Sequence, residues 1–264
     1  MSNTVPITAE VWKQAAIVER FLNFHAAIPL AREQISVMLD LLATRSEPVR
    51  SFIDLGCGDG VLAAALLERY PESRGVLADF SEPMLEQASV QLKDFTPQLQ
   101  FMNLDFGDPA WVEKMLALRP RPASLYQGGQ AQDDFDAIVS RYSIHHQPDE
   151  RKRSIYEDIF NLLAPGGWFI NIEHILPSAS LSTELLDTHI IDGRYAIEVV
   201  NGGSKTRQEI ADIHMNRPDR EANLLTSVET QCDWLREIGF EQVDCYFRIF
   251  ELAVFGGRRP DRKS

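Results

Sequence analysis

From Ser51 onward the chain alternates short apolar runs with longer helical patterns, and this rhythm restricts the fold more than any other feature. Strand candidates are SFIDL (51–55), GVLAD (75–79), LQFMNLD (99–105), FDAIVS (135–140) and WFINIEH (168–174). Helical patterns fill 60–69, 82–93, 109–118 and 149–163 between them. Units of this length bring successive strands together in a parallel sheet with helices on both faces. Ser81 is placed to cap the second helix, with Pro83 in its first turn. The fourth starts after Pro148 and is expected to stop in a turn at LLAPGG.

The flanks depart from this rhythm. Residues 9–42 carry two amphipathic patterns broken at AAIP. The first spaces Val11, Ala15, Val18 and Leu22, the second Ile35, Met38, Leu39 and Leu42, at helical steps. Residues 178–217 read as a helical insertion over one edge of the sheet. TSVE opens a last helix, with Thr226 and Glu229 as its capping box. After Gly239, QVDCYFRIFELAVFGG reads as two strands meeting around Arg248. The connection 119–134 is long and rich in Pro, Gly and Gln, a loop either mobile or functional. The expected organisation is an N-terminal helical lid (1–48), then one domain (49–264) carrying the insertion.

With 264 residues, 44% of them hydrophobic, the chain can bury a core without disulfides or metal. Cys57, Cys232 and Cys245 are far apart and pair with no histidine at ligand spacing, so neither a disulfide framework nor a metal site is expected. No run approaches the ~18 apolar residues of a membrane span. The opening MSNTVPITAEVW lacks the basic-then-apolar layout of a signal peptide, so a cytoplasmic location is expected. The formal charge of −13 counts against a nucleic-acid partner, and the basic C-terminal RRPDRKS reads as a solvated tail.

The loop after the first strand is the chemical signature. FIDLGCGDG (52–60) ends a strand in Asp54 and sets Gly56, Cys57 and Gly58 at the start of a helix. In open α/β sheets ligands bind at the carboxyl ends of the strands, and glycine lets one approach bare backbone. A dinucleotide fingerprint needs a third glycine where this chain has Val61, and Asp54 would repel a pyrophosphate. The acid suits a ligand with a cationic amine. Asp79, ending the second strand, can accept hydrogen bonds from both hydroxyls of a ribose. Asp105 can accept from an adenine amino group, with Phe106 or Phe80 against the ring.

Taken in order, FIDLGCGDG, GVLADFSEPMLEQA, FMNLDF, FDAIVSRYSIHH and NLLAPGGWFINIEH resemble the motifs of class I S-adenosylmethionine-dependent methyltransferases over residues 50–175, and GFEQVDCYFRIFELAVFGG extends the likeness. The resemblance implies a doubly wound, mostly parallel seven-stranded sheet of order 3-2-1-4-5-7-6. It further implies that Asp54, Gly56 and Gly58 hold the methionine portion of S-adenosylmethionine. Asp79 would hold the ribose and Asp105 with Phe106 the adenine. Met84 would lie on the adenine side, and Ser140 would face the sulfonium.

Methyl transfer chiefly requires alignment and exclusion of water, with a base only where the acceptor must lose a proton. SRYSIHH supplies Arg141, Tyr142, His145 and His146, and the fifth strand ends in Glu173 and His174. His145, His146, Glu173 and His174 are the candidate catalytic groups. Candidate acceptor contacts are His25 in the lid, Tyr142, and Arg194 and Tyr195 in the insertion. The expected function is methyl transfer to a small-molecule acceptor, with a homodimer through the insertion as the expected assembly. A second resemblance, carried by AAIPLAREQISVMLDLL and SVET…GFE, is to tRNA wobble-uridine carboxymethyl transferases that use carboxy-S-adenosylmethionine. A third reading is a cofactor-binding regulator without catalysis.

Overall fold

The computed structural model describes residues 27–118, 134–217, 220 and 222–262. Its strands form one seven-stranded sheet of order β3-β2-β1-β4-β5-β7-β6. The first five are β1 (Ser51–Leu55), β2 (Arg74–Asp79), β3 (Leu99–Asn103), β4 (Phe135–Arg141) and β5 (Leu163–His174). They pair in parallel. β6 (Glu241–Ile249) and β7 (Leu252–Arg258) close the sheet in antiparallel fashion.

Helices cover both faces, and strand alternation decides which residue meets which layer. Ile53 and Leu55 point into a cluster with Phe169, Phe255 and the helices α4 (Trp111–Leu118), α5 (Asp149–Leu162) and α8 (Val228–Ile238). Phe52, one residue out of phase, joins Val139, Ile170 and Val254 against α1 (Ala31–Leu42), α2 (Val61–Arg69) and α3 (Glu82–Gln91). A sheet buried on both faces explains why its strands read as nearly continuous apolar runs. Met38 and Leu42 of α1 belong to this second cluster, so the second amphipathic pattern of the expected lid packs on the sheet. Each such fully buried side chain contributes about 1.5–3 kcal/mol.

The insertion forms α6 (Ser180–Val200) and α7 (Arg207–Met215). Leu186 and Ile190 of α6 pack with Ile28, Leu252 and Tyr142, which places α6 over the carboxyl ends of the strands. A capping box at Thr206 and Glu209 starts α7.

Four local expectations need correction. The cap of α8 is Ser227, which accepts from the Thr230 N–H at 3.1 Å. Thr226 is drawn away because its hydroxyl meets the Lys152 ammonium at 2.6 Å. LLAPGG is mostly strand rather than turn: β5 begins at Leu163, and its pairing with β4 shifts register between Phe135 and Ala137. The last two strands turn at Phe250 and Glu251, two residues beyond Arg248, with Phe250 at φ 54°. Ser81 stands at the N-cap of α3 without a side-chain cap bond, while a proline does occupy the first turn. The amphipathic pattern at 9–22 and most of 119–134 lie outside the described residues. Among the described residues no helix is long and apolar enough to cross a membrane.

Candidate cofactor and acceptor site

The carboxyl ends of β1, β2 and β4 open onto one cleft. The glycine loop forms its floor, tied to β2 by the N–H groups of Gly56 and Cys57, which donate to the Ala78 carbonyl at 2.8 and 3.1 Å. Gly56 and Gly58 take φ of 69° and 53°, a region open to glycine at little cost. At Gly56 packing forbids more: an added Cβ would sit 1.8 Å from Ser143 Oγ. Besides Gly56, Cys57 and Gly58, the lining includes Asp59, Asp79, Phe80 and Met84. From β4 and the turn after it come Arg141, Tyr142, Ser143 and His146.

Asp54 lies on the same face of β1 as Phe52, so its carboxylate reaches the first turn of α2. Oδ2 accepts from the Ala63 N–H at 3.2 Å, and Oδ1 is buried with no hydrogen-bond partner. Burial raises its pKa well above the ordinary carboxylate value, with Asp59 and Asp79 adding to the rise. A buried acceptor without a donor is costly, and a cationic ligand would relieve it. Asp79 accepts from the Gly58 N–H at 2.9 Å and the Ser81 N–H at 2.8 Å. Burial pushes its carboxyl up to about 6, against those backbone donors.

The histidines divide by direction. The His145 imidazole is 93% buried at its side chain and bonds through Nδ1 to Glu173 Oε1 at 2.6 Å. Glu173 is completely buried, and also accepts from the backbone N–H groups of His145 at 3.0 Å and His174 at 2.8 Å. Burial holds His145 well below its ordinary pKa and lifts Glu173 to about 6. His174 turns to Glu251 through Nε2. His146 faces the cleft, its Nδ1 3.2 Å from the Ala222 carbonyl. A carbonyl only accepts, so Nδ1 carries the proton and the lone pair of the neutral ring sits on Nε2.

The segment that supplies that carbonyl is anchored by a buried cation. Lys152, 1% exposed, donates to the Leu224 carbonyl, to Thr226 and, at 2.9 Å, to Asp149. The Leu224 N–H donates to the His145 carbonyl at 3.0 Å.

Residues 53–169 match the family described as "Methyltransferase domain". The chain is 30% identical over 189 residues to a trans-aconitate 2-methyltransferase of Acidovorax sp. (strain JS42), covering 57% of this chain and 72% of that one. The chain belongs to the class I S-adenosylmethionine-dependent methyltransferases. A carboxy-S-adenosyl-L-methionine synthase of Nautilia profundicola is 22% identical to this methyltransferase over 242 residues, or 91% of this chain and 90% of that one. Human N-acetylserotonin methyltransferase, solved with S-adenosylmethionine, shares the fold at a TM-score of 0.56 and 16% identity. The match covers 98% of this chain and 60% of that longer one.

Several expected site residues of this methyltransferase lie elsewhere. Ser140 is fully buried and donates its hydroxyl to the Leu55 carbonyl at 2.7 Å, so it bridges β1 and β4 and does not face the cleft. Asp105 and Phe106 turn opposite ways, because alternation continues past the end of β3. Leu104 and Phe106 turn inward while Asn103 and Asp105 turn out. Phe106 packs in the core behind Gly56, and Asp105 accepts from the Gly107 N–H at 2.7 Å. Neither belongs to the cleft lining. His145 and Glu173 are buried and His174, partly exposed, pairs with Glu251, which leaves His146 as the catalytic candidate in the lining. Tyr142 lines the cleft, and its hydroxyl donates to Gln34 at 2.6 Å. Arg194 and Tyr195 stand on α6 outside the lining, and His25 lies outside the described residues. Sequence reasoning passed over Asp59, Ser81 and Ser143. Ser143 had a signal, since it belongs to the same SRYSIHH turn.

Proposed function

We propose that this methyltransferase transfers a methyl group from S-adenosylmethionine to a small-molecule acceptor whose proton is taken by His146. One observation carries the reading: the glycine loop, Asp79 and His146 line a single cleft. The residues fit the cofactor. Asp54 Oδ1 lacks a donor, the backbone at Gly56 and Gly58 is bare, and Asp79 can accept from ribose hydroxyls beside the two N–H groups it already holds. Met84 and Phe80 supply apolar surface for the adenine. Bound there, S-adenosylmethionine supplies a methyl carbon activated by positive sulfur. The chain's own part is to orient that end, exclude water and remove the acceptor's proton through His146 Nε2. Relatives named for trans-aconitate support a small acceptor that carries carboxylates.

The experiment is calorimetry with S-adenosylmethionine, then an acceptor panel assayed for the demethylated product. His146→Gln is expected to lower kcat at least about a hundredfold while cofactor affinity stays within about threefold. Turnover unchanged in His146→Gln removes the base assignment. Binding of cofactor with no turnover on any acceptor favours a regulator without catalysis.

A second reading has its own support, because the carboxy-S-adenosyl-L-methionine synthase likeness runs along nine tenths of this chain. Under it the cleft makes or uses the carboxylated cofactor, and mass spectrometry of ligand released from the purified protein distinguishes the two. A tRNA acceptor would require steeply salt-dependent RNA binding, which a charge of −13 opposes. A cytoplasmic location fits three cysteines that stay free. A homodimer through α6, where Leu181, Val199 and Val200 are exposed, is testable by light scattering.

A further inference from the structure

Arg141 closes β4, and its side chain enters the cofactor cleft beside Gly56, Gly58 and His146. It is 8% exposed. Its guanidinium carbon lies 5.0 Å from the centroid of the Tyr142 ring, and its Nε is buried with no hydrogen-bond partner. A guanidinium taken out of water is costly until its donors are matched by acceptors. Asp54 and Asp59 both feel its charge, yet neither carboxylate bonds that Nε. An unmatched donor therefore stands at Arg141 Nε in the cleft, and an unmatched acceptor at Asp54 Oδ1 lies buried at the end of β1, outside the cleft lining.

We propose that Arg141 receives the carboxylate of the cofactor's methionine end, while Asp54 receives the ammonium of the same end. This rests on the cofactor reading above. The methionine end is a zwitterion, and its two charged groups need opposite partners. Against Asp54, Asp59 and Asp79 alone, its carboxylate would meet only like charge. The guanidinium reverses that sign at one edge of the cleft and offers a planar fork that matches a carboxylate. The Tyr142 ring supports the guanidinium from one side, and Tyr142 is itself fixed by Gln34.

The test compares S-adenosylmethionine with decarboxylated S-adenosylmethionine, which keeps the sulfonium and the ammonium and lacks only the carboxylate. Calorimetry on the wild type is expected to show the intact cofactor bound about 10- to 100-fold more tightly. In Arg141→Gln the preference should fall to under about threefold, through weaker binding of the intact cofactor alone. Arg141→Lys should keep part of it. A thermal melt checks that each variant is folded, and the wild-type comparison stands without them. Equal affinity of the wild type for both ligands overturns the proposal and leaves the cofactor reading intact. Equal losses for both ligands in a folded Arg141→Gln also overturn it, making Arg141 a prop for the acidic loop. Binding of neither ligand by the wild type removes the cofactor reading and this proposal together.

Discussion

Lowering the pH should weaken cofactor binding through Asp79 before it unfolds the protein. The carboxyl stands at about 6 rather than 3.8 because it is buried, a difference of about 3 kcal/mol between its two protonation states. At pH 5 about nine in ten free sites would carry the proton. A ribose donates two hydroxyl protons, and both favour the ionised form. At about 1 kcal/mol each they would bring the carboxyl in the complex to between about 4 and 5. Linkage then fixes the sign: binding expels protons, and Kd rises as pH falls through about 6. Between pH 7 and pH 5 the expected rise is about five- to tenfold, with about half a proton released per site near pH 6. Asp54, which burial also raises, adds a separate release at its own pKa. Calorimetry in buffers of different ionisation enthalpy measures the released protons. Asp79→Asn should abolish the part centred near pH 6. A flat Kd over this range, or the same slope in Asp79→Asn, would show that this carboxyl does not bind in its ionised form and would refute the assignment.

Gly56→Ala should prevent cofactor binding and lower the melting temperature. Its Cβ would meet Ser143 Oγ at 1.8 Å and Ser143 Cβ at 2.5 Å with φ at +69°, for a cost of about 2 kcal/mol or more. Gly75→Ala tests the fold apart from the site. The new methyl would lie 2.2 Å from the Phe52 ring, and a loss of about 1–3 kcal/mol should appear in denaturant titration with little change in cofactor affinity per folded molecule. Lys152→Met frees the 222–226 segment, so kcat should fall about tenfold or more while cofactor Kd moves under threefold. An unchanged kcat would separate His146 from that segment.

Much of this was written in local pattern. The β–α rhythm predicts a parallel sheet with helices on both faces, and the glycine loop with Asp79 marks the cleft, because those features depend on residues near one another in the chain; the strand order follows from the family resemblance. The misplaced groups depend on partners far away. Glu173 ends a strand, where a polar side chain ordinarily faces solvent, yet the turn carrying His145 folds back over it from 28 positions away. Thr226 has the right spacing to cap α8, and Lys152, 74 positions earlier, recruits it. Asp105 and Phe106 are neighbours in the chain, and the period of an extended chain sets neighbours on opposite sides. No local signal distinguishes Arg141 from an ordinary strand-end arginine. Its significance emerges from Asp54, Asp59 and Tyr142 meeting around it.

The proton on His146 Nδ1 is held by the main-chain carbonyl of residue 222. Every amino acid supplies that oxygen, so exchanging the side chain at 222 leaves the tautomer as it is. Ala222 is buried, so a saturation scan would report the cost of fitting a larger side chain there and overlook the carbonyl. The histidine would be retuned only by changes that shift the chain itself, such as a deletion between 217 and 226 or a loosened Lys152. Variation in acceptor choice should therefore accumulate there as insertions and deletions, with the cofactor half of the cleft left unaltered.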